Sequence, residues 1–182
     1  CRYAGLARGI AMPLFCRASF LLTSLLVSAA VFADFEEDYE NKQWQEIEVQ
    51  LPAAPKQETL LPFYVSAATE NRFFIDGATL SVGGDGVVRY VLLVLTPQGA
   101  RNVTYEGMRC ETRERRIYAS GRLDGTWSKA RKNEWVRILD AWANRQHAAL
   151  YLEYFCPIGT IVKDAAEARD ALIKGVHPDN KH

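Results

Sequence analysis

The chain has 182 residues, and its 22 Lys and Arg balance 22 Asp and Glu, so it carries no formal net charge. No segment is heavily basic, which argues against a nucleic-acid interface built on a cationic face. The densest basic run, Arg113 to Arg116, is interrupted by Glu114 and reads as a solvated strand face.

The first 33 residues have the three-part pattern of a secretory signal peptide. Met12 to Phe15 with Arg17 form a short basic start, Ala18 to Val31 is almost wholly apolar, and Val31-Phe32-Ala33 places small residues where a signal peptidase reads. The apolar run is shorter than the ~20 residues that a membrane-spanning helix needs. Translation is expected to start at Met12, and the mature chain to run from Asp34 to His182 in the periplasm. Cys16 precedes the apolar run instead of following it, so no lipobox and no lipid anchor are expected, nor any transmembrane span in the mature chain. Cleavage removes Arg2, Arg8 and Arg17, leaving 19 basic against 22 acidic residues, a net charge of −3 over 149 residues. That length suffices for one domain burying about 68–70% of its unfolded surface.

Cys110 and Cys156 remain after cleavage. An even count in an exported chain favours a disulfide, worth ~4 kcal/mol for a loop of this length in the chain-entropy treatment. The spacing is not Cys-x-x-Cys, so a thioredoxin-type site is not expected.

Residues 34–56 read as an acidic, proline-containing arm, and 57–176 as a single domain. Within the arm, Ile47, Val49 and Leu51 alternate with polar residues and suggest a strand. Pro52 and Pro55 then interrupt regular structure. Leu60 to Val65, with Pro62 inside, suits an edge strand. Phe73 to Val82 is β-rich and broken at Asp76-Gly77. Gly83-Gly84-Asp85-Gly86 is a turn, Val87 to Leu95 a continuous apolar strand, and Thr96 to Gly99 a second turn. Arg101 to Cys110 and Ile117 to Leu123 follow as strands, with Asp124-Gly125 as the next turn. Short strands and tight turns in succession indicate an antiparallel meander.

Beyond Trp127 the texture changes. Trp135, Ile138, Leu139 and Trp142 recur at helical spacing, as do His147, Leu150, Tyr151 and Tyr154. A helix is expected over about Asp140 to Phe155, with a strand from Ala149 to Phe155 as the rival. A last helix, about Lys163 to Lys174, has Asp164 near its start and Gly175 past its end. Residues 177–182 read as a flexible tail. The fold class is α+β: an antiparallel meander of about five or six strands packed by one or two C-terminal helices, with the disulfide closing helix over sheet.

Few motifs carry chemistry. The glycine turn lacks the Lys-Ser/Thr of a phosphate loop and precedes a strand, so positive-φ freedom explains it. Asn102-Val103-Thr104 fits a glycosylation tripeptide, a pattern frequent by chance. His177 and His182 lie in the tail, where ordering costs oppose metal binding. His147 is the histidine inside the domain, and a hydrogen-bonded packing role competes with an acid–base role beside a carboxylate. Asp140 and Glu153 are undistinguished carboxylates. Trp135 and Trp142 are assigned to the core, whereas Trp44 and Trp127, flanked by polar residues, suit surface contact. No catalytic set, metal ligand or cofactor is expected. The candidate interaction residues are Trp44, Trp127, Arg109 and His147.

Gly84-Asp85-Gly86-Val87-Val88-Arg89-Tyr90, Tyr105-Glu106-Gly107-Met108-Arg109-Cys110, Tyr118-Ala119-Ser120-Gly121, His147-Ala148-Ala149-Leu150-Tyr151 and Tyr154-Phe155-Cys156-Pro157 together resemble the cryptic neisserial protein-like family. The likeness extends from Phe35 to about Pro178. It implies a Gram-negative, envelope-directed protein and transfers no activity or catalytic residue. The expected function is a non-enzymatic binding or interaction module with an envelope protein or ligand as partner. A small periplasmic hydrolase using His147 and a self-assembling structural protein are the alternatives.

Overall fold

The computed structural model describes residues 43–141 and 145–180. The predicted leader, the Met12 start, Cys1, Cys16, residues 34–42 of the arm, Trp142 and His182 lie outside the described residues. Gln43 to Gln45 belong to an N-terminal unit, Cys1–Gln45, and the fold below is that of the second unit, Glu46–His182.

The strands are β1 (Leu60–Phe63), β2 (Arg72–Asp76), β3 (Ser81–Val82), β4 (Val87–Leu95), β5 (Arg101–Arg109), β6 (Glu114–Gly121), β7 (Trp127–Lys129) and β8 (Val136–Arg137). They form one antiparallel sheet in the order β1-β2-β4-β5-β6-β7, with β3 on β4 and β8 on β6. The expected α+β class is observed. The strand count exceeds the expected five or six because β3, β7 and β8 are two- or three-residue ladders, too short to leave a periodic signal.

The apolar run Val87 to Leu95 is the central strand, and its residues are buried from Val87 to Leu93 on both faces of the sheet. The glycine turn before it closes through Gly86 N–H to Gly83 O at 3.0 Å, with Gly86 at φ 75°. Pro62 sits on edge strand β1, where its missing N–H costs least.

The polypeptide after β8 covers one face. A helix α1 (Arg145–Ala149) runs into a wider π-type segment, Leu150–Phe155. Cys156 N–H donates to Tyr151 O, five residues back, at 3.0 Å. The wide turn buries Leu150, Tyr151, Tyr154 and Phe155 and leaves Leu152 outside. Helix α2 (Ala165–Lys174) is capped as expected: Asp164 Oδ1 accepts from the N–H of Ala166 and of Glu167, both at 2.9 Å, and Gly175 ends it at φ 84°. These elements bury Val88, Tyr90, Leu92 and Met108 from above, and Cys110 and Cys156 are bonded across the layer with Cα atoms 5.4 Å apart.

Three expectations are corrected. The helical spacing from Trp135 to Leu139 is not a helix: Val136-Arg137 pairs with β6, and Ile138 is buried while Leu139 is exposed. Trp135 is half-buried beneath the Arg109 guanidinium, 5.9 Å from the ring centre, and is not a core residue. His177 is not in a solvated tail. It is buried, its N–H donates to Glu153 O at 2.8 Å, and its Nε2 lies 3.3 Å from Glu167.

Candidate binding face

The two faces of the sheet hold different chemistry. On the helix-covered face, β5 places Glu106 opposite Tyr90 of β4. Glu106 Oε2 lies 2.8 Å from His147 Nε2 and accepts from the Tyr90 hydroxyl at 3.2 Å, while Oε1 accepts from the Thr104 hydroxyl at 2.7 Å. A carboxylate as acceptor makes Nε2 the protonated nitrogen. Burial pushes the Glu106 carboxyl up, but His147, Thr104 and the Arg115 charge outweigh it and hold it below the ordinary range. His147 is 4% exposed and Glu106 2%. An acid–base pair sealed in this way reaches no substrate, so the hydrolase reading of His147 is withdrawn.

Residues Glu46 to Pro55 cross the other face as an extended strap. They form no strand, contrary to the alternation of Ile47, Val49 and Leu51, because they lie over the sheet instead of beside an edge. The residues turned toward protein are Glu46, Val49, Pro52 and Pro55, every third one, while those between are exposed. A repeat of three is that of polyproline II. The Glu46 carboxylate accepts from the Tyr118 hydroxyl and from Arg116, and lies 3.4 Å from Arg89. Asp85 pairs with Arg89 at 2.6 Å and also accepts the Ile47 N–H at 3.1 Å. Burial raises the Asp85 carboxyl, but Arg89 and the Ile47 N–H together bring it below its usual value.

Val49 packs on the Val91–Tyr105–Tyr118 cluster, and the Trp127 indole N–H donates to Pro52 O at 2.7 Å. Tyr105 bridges the aromatics, 5.3 Å from Tyr118 and 6.2 Å from Trp127 between ring centres. Gly107 is required beneath this layer, since a Cβ there would overlap the Tyr118 ring.

Beside the strap's end is a cleft of about 180 Å³. Pro55, Val103 and Trp127 supply apolar walls, and Arg101 and Arg122 its cations. Arg122 is steadied by bonds from Nη1 to Thr126 Oγ1 and Trp127 O, at 3.2 and 3.1 Å. Neither arginine makes an ion pair among the described residues. Leu123, at the β6–β7 turn, also lines the cleft and is 100% exposed. Such a site can hold a ring-sized apolar group next to an anion, since a cavity of about 150 Å³ accommodates benzene and guanidinium pairs with carboxylates.

A sequence model of the CNP1-like family matches residues 39–173, well over half of the chain. The chain belongs to the CNP1-like family. No curated protein and no solved structure matches it.

The interaction residues expected from sequence do not converge in this CNP1-like protein. Trp127 lines the cleft and anchors the strap. Arg109 instead lies 3.6 and 3.7 Å from Glu111 and Glu114 and covers Trp135. His147 is in the core. Trp44 belongs to the N-terminal unit and is 36% exposed. Sequence reasoning missed Glu46, Arg101, Arg116 and Arg122. Glu106 did leave a signal, a carboxylate between Tyr105 and Met108 in a strand interior. Among the described residues no helix is long and apolar enough to cross a membrane, and no group of three or more His, Cys, Asp or Glu could hold a metal.

Proposed function

We propose that this CNP1-like protein is exported into the oxidising envelope space of a Gram-negative cell and works there by non-covalent binding at the strapped face of its sheet. The leader-like N-terminus and the Cys110–Cys156 bridge support that compartment. The observation that carries the binding reading is the cleft at Trp127, where Arg101 and Arg122 border an apolar wall without an ion pair among the described residues. Elsewhere on this face Arg89 and Arg116 are neutralised by Glu46 and Asp85.

Cell fractionation tests the compartment: the cleaved protein is expected in the periplasmic fraction, and an uncut chain in the cytoplasm overturns it. Titrating the ¹⁵N-labelled protein with a soluble envelope extract tests the face. Shifts are expected at Arg101, Val103 and Arg122 to Trp127. Shifts centred on the helix-covered side, or none at all, overturn the assignment.

A further inference from the structure

We propose that the strapped face is a receptor for an extended polypeptide in polyproline II conformation, occupied in this structure by the chain's own Glu46–Pro55. The proposal rests on the reading that this face is the binding face, and names the class of partner it takes: a segment with a carboxylate, an aliphatic side chain and two prolines, each three residues after the last.

Four observations carry it. Contact recurs at Glu46, Val49, Pro52 and Pro55, the spacing of a helix with three residues per turn. An indole N–H donates to a backbone carbonyl of that segment, Trp127 Nε1 to Pro52 O at 2.7 Å. Proline-bearing segments in this conformation dock in aromatic-lined grooves, because their backbone polar groups are free and their ordering cost is already low. Tyr105, Tyr118 and Trp127 supply that lining. Finally, the carboxylate pocket is built by the sheet: Arg89, Arg116 and the Tyr118 hydroxyl converge on Glu46 and would receive any carboxylate in that phase.

The strap is suited to exchange. Its backbone joins no ladder, and two residues in every three are exposed, including Ile47 and Leu51. A partner segment would therefore replace side-chain contacts and two backbone bonds, those of Ile47 N–H and Pro52 O. The neighbouring cleft with Arg101 and Arg122 offers a second acidic or apolar contact to a partner that continues past the last proline.

The test uses the full chain and a blocked synthetic peptide with the sequence of Glu46 to Pro55. The Trp127 indole N–H resonance, assigned with Trp127→Phe, reports occupancy. The wild type is expected to bind weakly, because its tethered strap competes at a high effective concentration. Glu46→Ala is expected to bind the peptide at least about tenfold more tightly, the loss of one charge-assisted anchor in the tethered competitor. A peptide with Gln for its first Glu, or with its prolines moved out of phase, is expected to lose that gain. Equal binding by wild type and Glu46→Ala, or by in-phase and out-of-phase peptides, overturns the proposal.

Should Glu46→Ala not fold, hydrogen exchange of the wild type decides. The proposal expects the Trp127 indole N–H to exchange through an opening that leaves the β4 amides protected, and exchange only with β4 overturns it. If the peptide fails while envelope extract still shifts Arg101 and Leu123, the peptide class falls and the binding reading stands. If neither shifts them, both fall.

Discussion

The helix-covered face and the strapped face share the same strands, yet they are finished differently. On the first, Val88, Tyr90, Leu92 and Met108 share one core cluster with the aromatic side chains of the π-type segment, and the buried carboxylate of Glu106 is bonded by Tyr90, Thr104 and His147. On the second, the buried cluster of Val91, Tyr105 and Tyr118 lies among Arg89, Arg116, Asp85 and Glu46 beneath a single extended segment. A face that excludes water adds stability with every apolar group it buries, roughly 1.5–3 kcal/mol for a large side chain. A face closed by side-chain ion pairs and scattered contacts opens at lower cost. On the proposed reading, the contrast separates the part of the molecule that holds the fold from the part that meets a partner.

Removing Glu106 should break the contrast most severely. Glu106→Ala leaves His147 and the Tyr90 hydroxyl buried without their acceptor, and the urea-derived stability should fall by about 3–5 kcal/mol. Glu106→Gln keeps an oxygen acceptor and should cost less. Equal losses for both variants would show that the charge, not the hydrogen bonding, is what the site needs. Replacing Cys110 and Cys156 together by Ser should cost about 4 kcal/mol, with the loss residing on the helix-covered side. The amides of α1 and the π-type segment should then exchange faster, while the strap's contacts stay as they were.

Glu46→Ala should cost about 1.5–3 kcal/mol, the range for hydrogen bonds to charged groups. Limited proteolysis should cut the variant between Glu46 and Pro55 before the rest of the chain is attacked. The pH profile sharpens the same point. Glu106 and Asp85 are both held below ordinary carboxyl values in spite of burial. A carboxyl that is more acidic when folded contributes stability above its unfolded pKa, about 4.3 for Glu and 3.9 for Asp, and loses it as the pH falls through the folded value. Tyr118 is pushed far up by burial and by its bond to Glu46, and Tyr90 by burial and the charge of Glu106. Their contribution is present below the unfolded phenol value of about 10 and is lost above it. Stability should therefore be flat from about pH 5 to 9 and fall at both ends. Glu46→Ala should flatten the alkaline limb by removing the part of the Tyr118 shift that Glu46 supplies, and an unchanged limb would assign it to the burial of Tyr118 and Tyr90.

What was legible in the sequence was local. The apolar run of β4, the turns at Gly83–Gly86 and Thr96–Gly99, and the Asp164 and Gly175 caps of α2 each depend on residues within a few positions of one another. The π-type segment reads as a helix because Leu150, Tyr151, Tyr154 and Phe155 share one helical face, and the five-residue back-bond that widens its turn leaves no mark in the sequence. The strap reads as a strand because Ile47, Val49 and Leu51 alternate with polar residues, whereas its contacts with the sheet recur every third residue. The site itself was invisible. Glu46 reaches Arg116 and Tyr118 across 70 and 72 positions, and Glu106 reaches His147 across 41. No local pattern encodes such pairings; the crossing of the strap over one face and of α1 over the other creates them. Polar flanks singled out Trp127 as a contact residue, but they do not show that Arg101 and Arg122 would meet it.

The mildest change is the most discriminating. Leu123 stands at the tip of the β6–β7 turn with its side chain wholly in solvent, while Leu150, the same residue type, is sealed under the opposite face. Leu123→Ser removes no buried contact, so stability should change by less than about 0.5 kcal/mol in urea titration. If the strapped face is the binding face, that variant should nonetheless weaken the response of Arg101 and Arg122 to envelope extract. An apolar side chain held in water at a cleft mouth gains from burial only when something docks on it. Full retention of that response would remove Leu123 from the contact surface and confine recognition to the groove beneath the strap.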